Sequence, residues 1–254
     1  FLARRRENGY NKEKRPVRAE QIDTDGLRAR EKRSCMTKQE ILAKVDHTLL
    51  KADAGWEDIR RICDEALENS TASICINPCW VERAVEYLGG RVPVCTVIGF
   101  PLGATAKVAE AKQALAEGCE EFDMVINIGR LKMGDTDYVR DEIRALKQAV
   151  GNKVLKVIIE TCLLTDAEKE TMCGVVCEAG ADFIKTSTGF STGGATFDDI
   201  ALFARCVKGR CRIKAAGGIR SVADMERFIA LGADRLGTSS AIKIFNNEAS
   251  GTEY

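Results

Sequence analysis

The chain has 254 residues, 45% of them hydrophobic, with 38 basic and 38 acidic residues and a formal net charge of +0. This length suits one large domain or two small ones, and the apolar fraction can fill a sizeable core. The balanced charge gives no global bias toward nucleic acid or anionic membranes, and no run of 18 apolar residues could span a bilayer.

Residues 1–35 differ from the rest. They hold 11 Lys/Arg and 6 Asp/Glu, a local charge of 11 − 6 = +5, and read as a disordered or loosely helical extension. Its basic start is not followed by an apolar stretch, so a secretory signal is not indicated. Eleven cysteines without a C-x-x-C pair and a single histidine do not make a zinc pattern. They read as reduced, mostly buried thiols of a cytoplasmic protein.

From residue 36 short apolar runs recur at 44–46, 72–77, 94–99, 121–127, 154–160, 182–186, 212–215 and 234–237. Helical patterns lie between them. One covers 106–117 and stops at Gly118. Another covers 165–179, with Thr165 as N-cap and Glu168 three residues on. A third covers 221–231, with Ser221 as N-cap and Gly232 after its end. Strand–helix alternation implies parallel strands with crossover helices. Eight such units predict an α/β fold, a single (β/α)8 barrel over 36–245 with a polar tail at 246–254. A doubly wound sheet is the alternative, but no dinucleotide glycine fingerprint follows an early strand.

In such a barrel the active site lies at the C-terminal ends of the strands. Lys185 ends the sixth run and Lys214 the seventh, so both can reach one mouth from strands about 4.8 Å apart. Two ammonium groups in a poorly solvated pocket cannot both stay charged cheaply. The neutral amine that results attacks carbonyls. Each lysine could instead reach solvent or pair with a carboxylate. Asp123 interrupts the fourth run on the same face as Val125 and Asn127 and needs a cation. Asp46 makes a similar case at the end of the first run. Lys156 is a competing nucleophile, but its mid-strand place predicts a deeper, ion-paired role. His47 could be a general base or simply hydrogen-bonded.

The loops after the last two runs look like a phosphate cup. Gly217 and Gly218 allow close approach of backbone N–H groups, and Ser239 and Ser240 add donors. Thr186, Thr188 and Gly189 could form the near wall. A nucleophilic lysine, a second cation, an acid and a phosphate anchor suit making or breaking a carbon–carbon bond beside a carbonyl in a phosphorylated sugar, with no metal.

The segments VDHTLL (45–50), VIGFPLGA (97–104), DMVINIG (123–129), KVIIETC (156–162), ADFIKTSTGF (181–190), IKAAGGIR (213–220) and GTSS (237–240) together resemble the deoxyribose-phosphate aldolase family, in order from about residue 38 to 245. The resemblance implies reversible cleavage of 2-deoxy-D-ribose 5-phosphate to acetaldehyde and D-glyceraldehyde 3-phosphate. It implies that Lys185 forms a Schiff base, that Lys214 tunes it, and that Asp123 moves protons with a water and Lys214. Asp46 would belong to the same polar network, and Gly217, Gly218, Ser239 and Ser240 would hold the phosphate. It also implies no cofactor and a homodimer or homotetramer. Residues 190–194 depart from a glycine-proline variant of their loop at the substrate mouth. Cys75 falls near the family's pocket, as a reactive thiol or an inert buried one. Tyr254 ends the tail, as a proton donor over the mouth or a solvated terminus. Two rival readings are a phosphosugar isomerase using Glu160 and His47, and a non-catalytic phosphosugar-binding barrel.

Overall fold

The computed structural model describes residues 36–246. The charged segment 1–35 and the tail with Tyr254 lie outside the described residues. Eight strands are arranged in chain order: β1 (Val45–Leu49), β2 (Ser73–Ile76), β3 (Val94–Ile98), β4 (Glu121–Val125), β5 (Val154–Ile158), β6 (Phe183–Lys185), β7 (Arg212–Ala216) and β8 (Arg235–Thr238). Each pairs in parallel with the next, and β8 pairs with β1, so the sheet closes into a barrel. The helices are α1 (Lys38–Leu42), α2 (Trp56–Asn69), α3 (Val81–Leu88), α4 (Lys107–Ala116), α5 (Ile128–Lys132), α6 (Thr136–Val150), α7 (Asp166–Glu178), α8 (Phe197–Val207), α9 (Val222–Ala230) and α10 (Ala241–Phe245).

Periodicity explains these elements. In α2 the buried residues are Ile59, Ile62, Cys63 and Ala66; in α6 they are Val139, Ile143, Leu146 and Val150. Those spacings put one stripe of each helix on the barrel. The expected caps form. Thr165 and Glu168 exchange bonds in a capping box, and Ser221 accepts from the Asp224 N–H; such caps stabilise by about 1 kcal/mol each.

Strand residues alternate between two environments. Phe122 and Met124 of β4, Leu155 and Val157 of β5, and Ile213 and Ala215 of β7 join the core between barrel and helices. The residues between them, Glu121, Asp123, Lys156 and Lys214, belong to a separate interior. This alternation corrects two strand boundaries. β1 runs on to Leu49, so Asp46 is its second residue rather than its end, and β7 runs on to Ala216, so Lys214 is central. Both runs break at an inward-facing charge. The charge is satisfied inside the barrel, so the strand continues past it. β6 does end at Lys185.

Candidate active site

Asp123 is the centre of the barrel interior, and it is fully buried. Its Oδ2 accepts from Lys185 Nζ at 2.8 Å and from Lys214 Nζ at 2.6 Å. Its Oδ1 accepts from Lys156 Nζ at 2.8 Å and from Cys95 Sγ at 3.2 Å. Lys214 also donates to Asp46 Oδ2 at 2.5 Å. Asp46 Oδ1 takes bonds from Ser73 Oγ and the Arg235 guanidinium, which reaches on to Glu121. Lys156 meets Glu121 at 2.7 Å and Asp46 at 3.4 Å, the deep ion-paired place expected of it.

Strand register produces this convergence. Lys185 and Lys214 are directly paired across β6 and β7, and Asp123 and Lys156 across β4 and β5. Glu121 and Arg235 escape a search confined to strand ends. The signal for Glu121 is parity, two residues before Asp123 on the same strand; Arg235 opens its own strand.

The interior holds three carboxylates (Asp46, Glu121, Asp123) and four basic groups (Lys156, Lys185, Lys214, Arg235). Lys156 touches three of the carboxylates, while Lys214 and Arg235 touch two each; Lys185 touches Asp123 alone. Burial alone would raise the Asp123 carboxyl, but the ammonium groups of Lys156, Lys185 and Lys214 overcome it and hold it well below the usual range. Asp46 is lowered against its burial by Lys156, Lys214 and Arg235. Burial would strip the proton from Lys214, yet Asp123 and Asp46 hold it above the ordinary lysine value. Lys214 is thus a fixed cation beside Lys185.

Loops after the strands form the mouth. Glu160, just past β5, is 2% exposed and has a left-handed backbone, φ 57°, a strained state for a non-glycine residue. Its carboxylate accepts from the N–H and hydroxyl of Thr188. Burial raises its pKa, opposed by those two bonds. The Thr186 hydroxyl exchanges bonds with the Ala216 backbone, so both threonine hydroxyls stitch the mouth together. Gly189, Gly217 and Gly218 all have positive φ. Gly194, the last residue of the 190–194 loop expected at the mouth, packs against the last two: a Cβ there would meet the Gly217 carbonyl carbon at 2.5 Å and Gly218 N at 2.9 Å. Ser239 and Ser240 line a cavity of about 270 Å³ with His47, Lys51, Arg61 and Lys243, whereas Gly218 lines another, of about 310 Å³, with Arg227. The partner of His47 Nε2 is Glu65 of α2, at 2.6 Å.

Next to the charged network, and joined to it through Cys95, is an apolar wall of Leu50, Cys75, Cys95 and Val97, with Phe100 packed on it. Phe100 meets Phe190 edge to face at 5.2 Å. The neighbouring Cys95 thiol lowers the Cys75 thiol pKa despite burial. Cys75, Cys95 and Asp123 bring possible metal-ligand atoms within 4.8 Å of one another, with the Lys156 ammonium 3.2 Å from Cys95 Sγ. The ten cysteines among the described residues are free thiols.

A closed parallel barrel that buries lysines and carboxylates together inside its strands defines a (β/α)8-barrel enzyme with a lysine centre. The chain belongs to the DeoC/LacD family of aldolases, whose family model matches residues 40–246. It is 56% identical over 216 residues to a deoxyribose-phosphate aldolase of Clostridium botulinum, covering 84% of this chain and 98% of the relative. It is 55% identical over 217 residues to the enzyme of that name from Clostridioides difficile, covering 84% and 99%. Among solved structures, the tetrameric deoxyribose phosphate aldolase of Aeropyrum pernix superposes with a TM-score of 0.75 at 33% identity, covering 83% of this chain and 92% of that one. An aldolase called QR15 superposes with a TM-score of 0.79 at 37% identity, covering 82% and 95%. No helix among the described residues is long and apolar enough to cross a membrane.

Proposed function

We propose that the protein reversibly cleaves 2-deoxy-D-ribose 5-phosphate to acetaldehyde and D-glyceraldehyde 3-phosphate through a Schiff base on Lys185. One observation carries the reading: Lys185, at the end of β6, shares a single carboxylate oxygen, Asp123 Oδ2, with the fixed cation Lys214. The Lys185 amine adds to the C1 aldehyde and water leaves. The iminium then accepts the electron pair of the breaking C2–C3 bond as the C3 hydroxyl gives up its proton. Asp123, with a water and Lys214, carries that proton to C2, Asp46 keeps Lys214 charged and aimed, and water then hydrolyses the iminium, breaking its C–N bond to release acetaldehyde and the Lys185 amine. No metal or other cofactor is needed, because the iminium is the electron sink.

Gly217, Gly218, Ser239 and Ser240 hold the phosphate, and Thr186, Thr188 and Gly189 form the near wall, shaped by the bonds of Thr186 to Lys214 and Ala216 and of Thr188 to Glu160. The isomerase reading draws less support, since His47 and Glu160 have other partners, Glu65 and Thr188. The enzyme acts in the cytoplasm, in deoxyribose breakdown, as a homo-oligomer; the tetrameric Aeropyrum pernix relative supports the last point.

The test is borohydride trapping. The protein is incubated with acetaldehyde, reduced, digested and mapped by mass spectrometry. An ethyl group confined to the Lys185 peptide and lost in Lys185→Ala is the expected result. Label scattered over surface lysines, or none, overturns the reading.

A further inference from the structure

Lys107 opens α4, is 1% exposed and takes no part in the Lys185 network. Burying an ammonium is costly unless it is paired and hydrogen-bonded. Lys107 Nζ donates to the Gly103 carbonyl at 3.1 Å and to Glu142 Oε1 of α6 at 2.5 Å. The other oxygen of Glu142 accepts from the Asn127 N–H at 3.2 Å, where the chain leaves β4. Three residues along α4, Glu110 accepts from the Gly99 N–H at 2.7 Å. Three charged side chains of two outer helices thus end on the backbone of the loops that leave β3 and β4.

The fit leaves no slack. Gly99 has φ 61°, and a Cβ there would meet Lys107 Cε at 2.7 Å; a Cβ on Gly103 would collide with the Ile126 carbonyl oxygen. The loop 99–104 is pressed between the Lys107 stem and the end of β4. It carries Phe100, which packs on Leu50, Cys75, Cys95 and Val97. From that wall the Cys95 thiol donates to Asp123.

We propose that Lys107 and Glu142 are positioning residues, which fix loop 99–104 through Gly103 and Asn127 and so hold Phe100 against the Lys185–Asp123 centre. The proposal rests on the aldol reading above and extends it to groups outside the barrel interior. The clamp's own bonds end on the loops that leave β3 and β4, not on the loops after β7 and β8 assigned to the phosphate, so losing it lowers kcat more than it raises KM.

The test separates positioning from stability. Replacing one member of a buried pair strands a charge, whereas replacing both by apolar side chains is often neutral. Lys107→Met/Glu142→Leu is therefore expected to melt near the wild-type temperature and still to trap acetaldehyde on Lys185. Its kcat should fall on the order of 10- to 100-fold, and amides of 99–104 should exchange faster by mass spectrometry. Adding Phe100→Ala should cost no more than Phe100→Ala alone, because both changes act on one wall. Wild-type kcat in the double variant, or losses that multiply, overturns the proposal. If the double variant does not fold, Glu142→Gln serves, since its amide nitrogen replaces the oxygen facing either Lys107 or Asn127 and sets a donor against a donor; unchanged kcat and exchange there also overturn it. A wild-type protein that neither cleaves the sugar nor traps acetaldehyde defeats the aldol reading instead, and the exchange of 99–104 in the variants still decides the clamp.

Discussion

Lys185 and Lys214 face each other across β6 and β7 and donate to the same oxygen, Oδ2 of Asp123. The distances of 2.8 and 2.6 Å cap their Nζ separation at 2.8 + 2.6 = 5.4 Å. The pair is asymmetric, because Lys214 has a second carboxylate, Asp46, and Lys185 has none.

That asymmetry predicts different costs for removing buried lysines. Lys185→Met leaves Asp123 paired with Lys156 and Lys214, so it should abolish cleavage while costing only about 1 kcal/mol. Lys156→Met strips a cation from Asp46, Glu121 and Asp123 together and should cost about 3–5 kcal/mol. Denaturant melts of the two variants check the order; equal losses would contradict the network.

The pH dependence of stability follows from the same groups. Asp46 and Asp123 are depressed, so their contribution is complete above the ordinary aspartate value of about 3.9 and fades as pH falls toward their folded values. Lys156 and Lys214 are raised, so theirs is complete below about 10.4 and is lost as pH climbs toward theirs. Melting temperature should therefore hold a plateau between these limits with respect to these groups, and Asp46→Asn should blunt the acid-side loss.

Glu160 has the opposite sign. A raised carboxyl favours the fold most when protonated, and that favour is lost as pH rises through the ordinary value of about 4.3 toward the folded one. Glu160→Gln keeps an acceptor for Thr188 and removes the buried charge. Its melting temperature should match or exceed wild type at pH 7, with the gap closing toward pH 4. A variant much less stable at pH 7 would mean that the Thr188 bonds require the carboxylate.

Gly194 offers a test of the anchor. Alanine there forces its Cβ onto the Gly217–Gly218 backbone, which has no flexible end to move aside. KM for the phosphorylated sugar should rise roughly 10-fold, about 1.4 kcal/mol, while acetaldehyde trapping at Lys185 proceeds at the wild-type rate. Equal damage to both steps would place the loop's role elsewhere.

Thiol reactivity should follow burial. Burial pushes the Cys63, Cys119 and Cys173 thiols up to about 12, whereas Cys79 and Cys162 are exposed. Among the described residues, iodoacetamide at neutral pH should label Cys79 and Cys162 first, as peptide mapping of the native protein would reveal.

The sequence by itself determined the barrel, because strand–helix alternation and the caps at Thr165 and Ser221 are local patterns that survive in the fold. It also determined that Lys185, Lys214 and Asp123 share one interior, since charges that interrupt apolar runs need common partners. Only the tertiary structure decided how those charges pair. Glu121 and Arg235 enter the network through register between strands more than 100 residues apart, and the Lys185–Lys214 pair is one part of a cluster of four basic groups and three carboxylates. The same holds for Lys107 and Glu142, 35 residues apart and joined through the backbones of two loops. Periodicity reports which face a residue takes; the partner it meets on that face is set by chain closure in three dimensions.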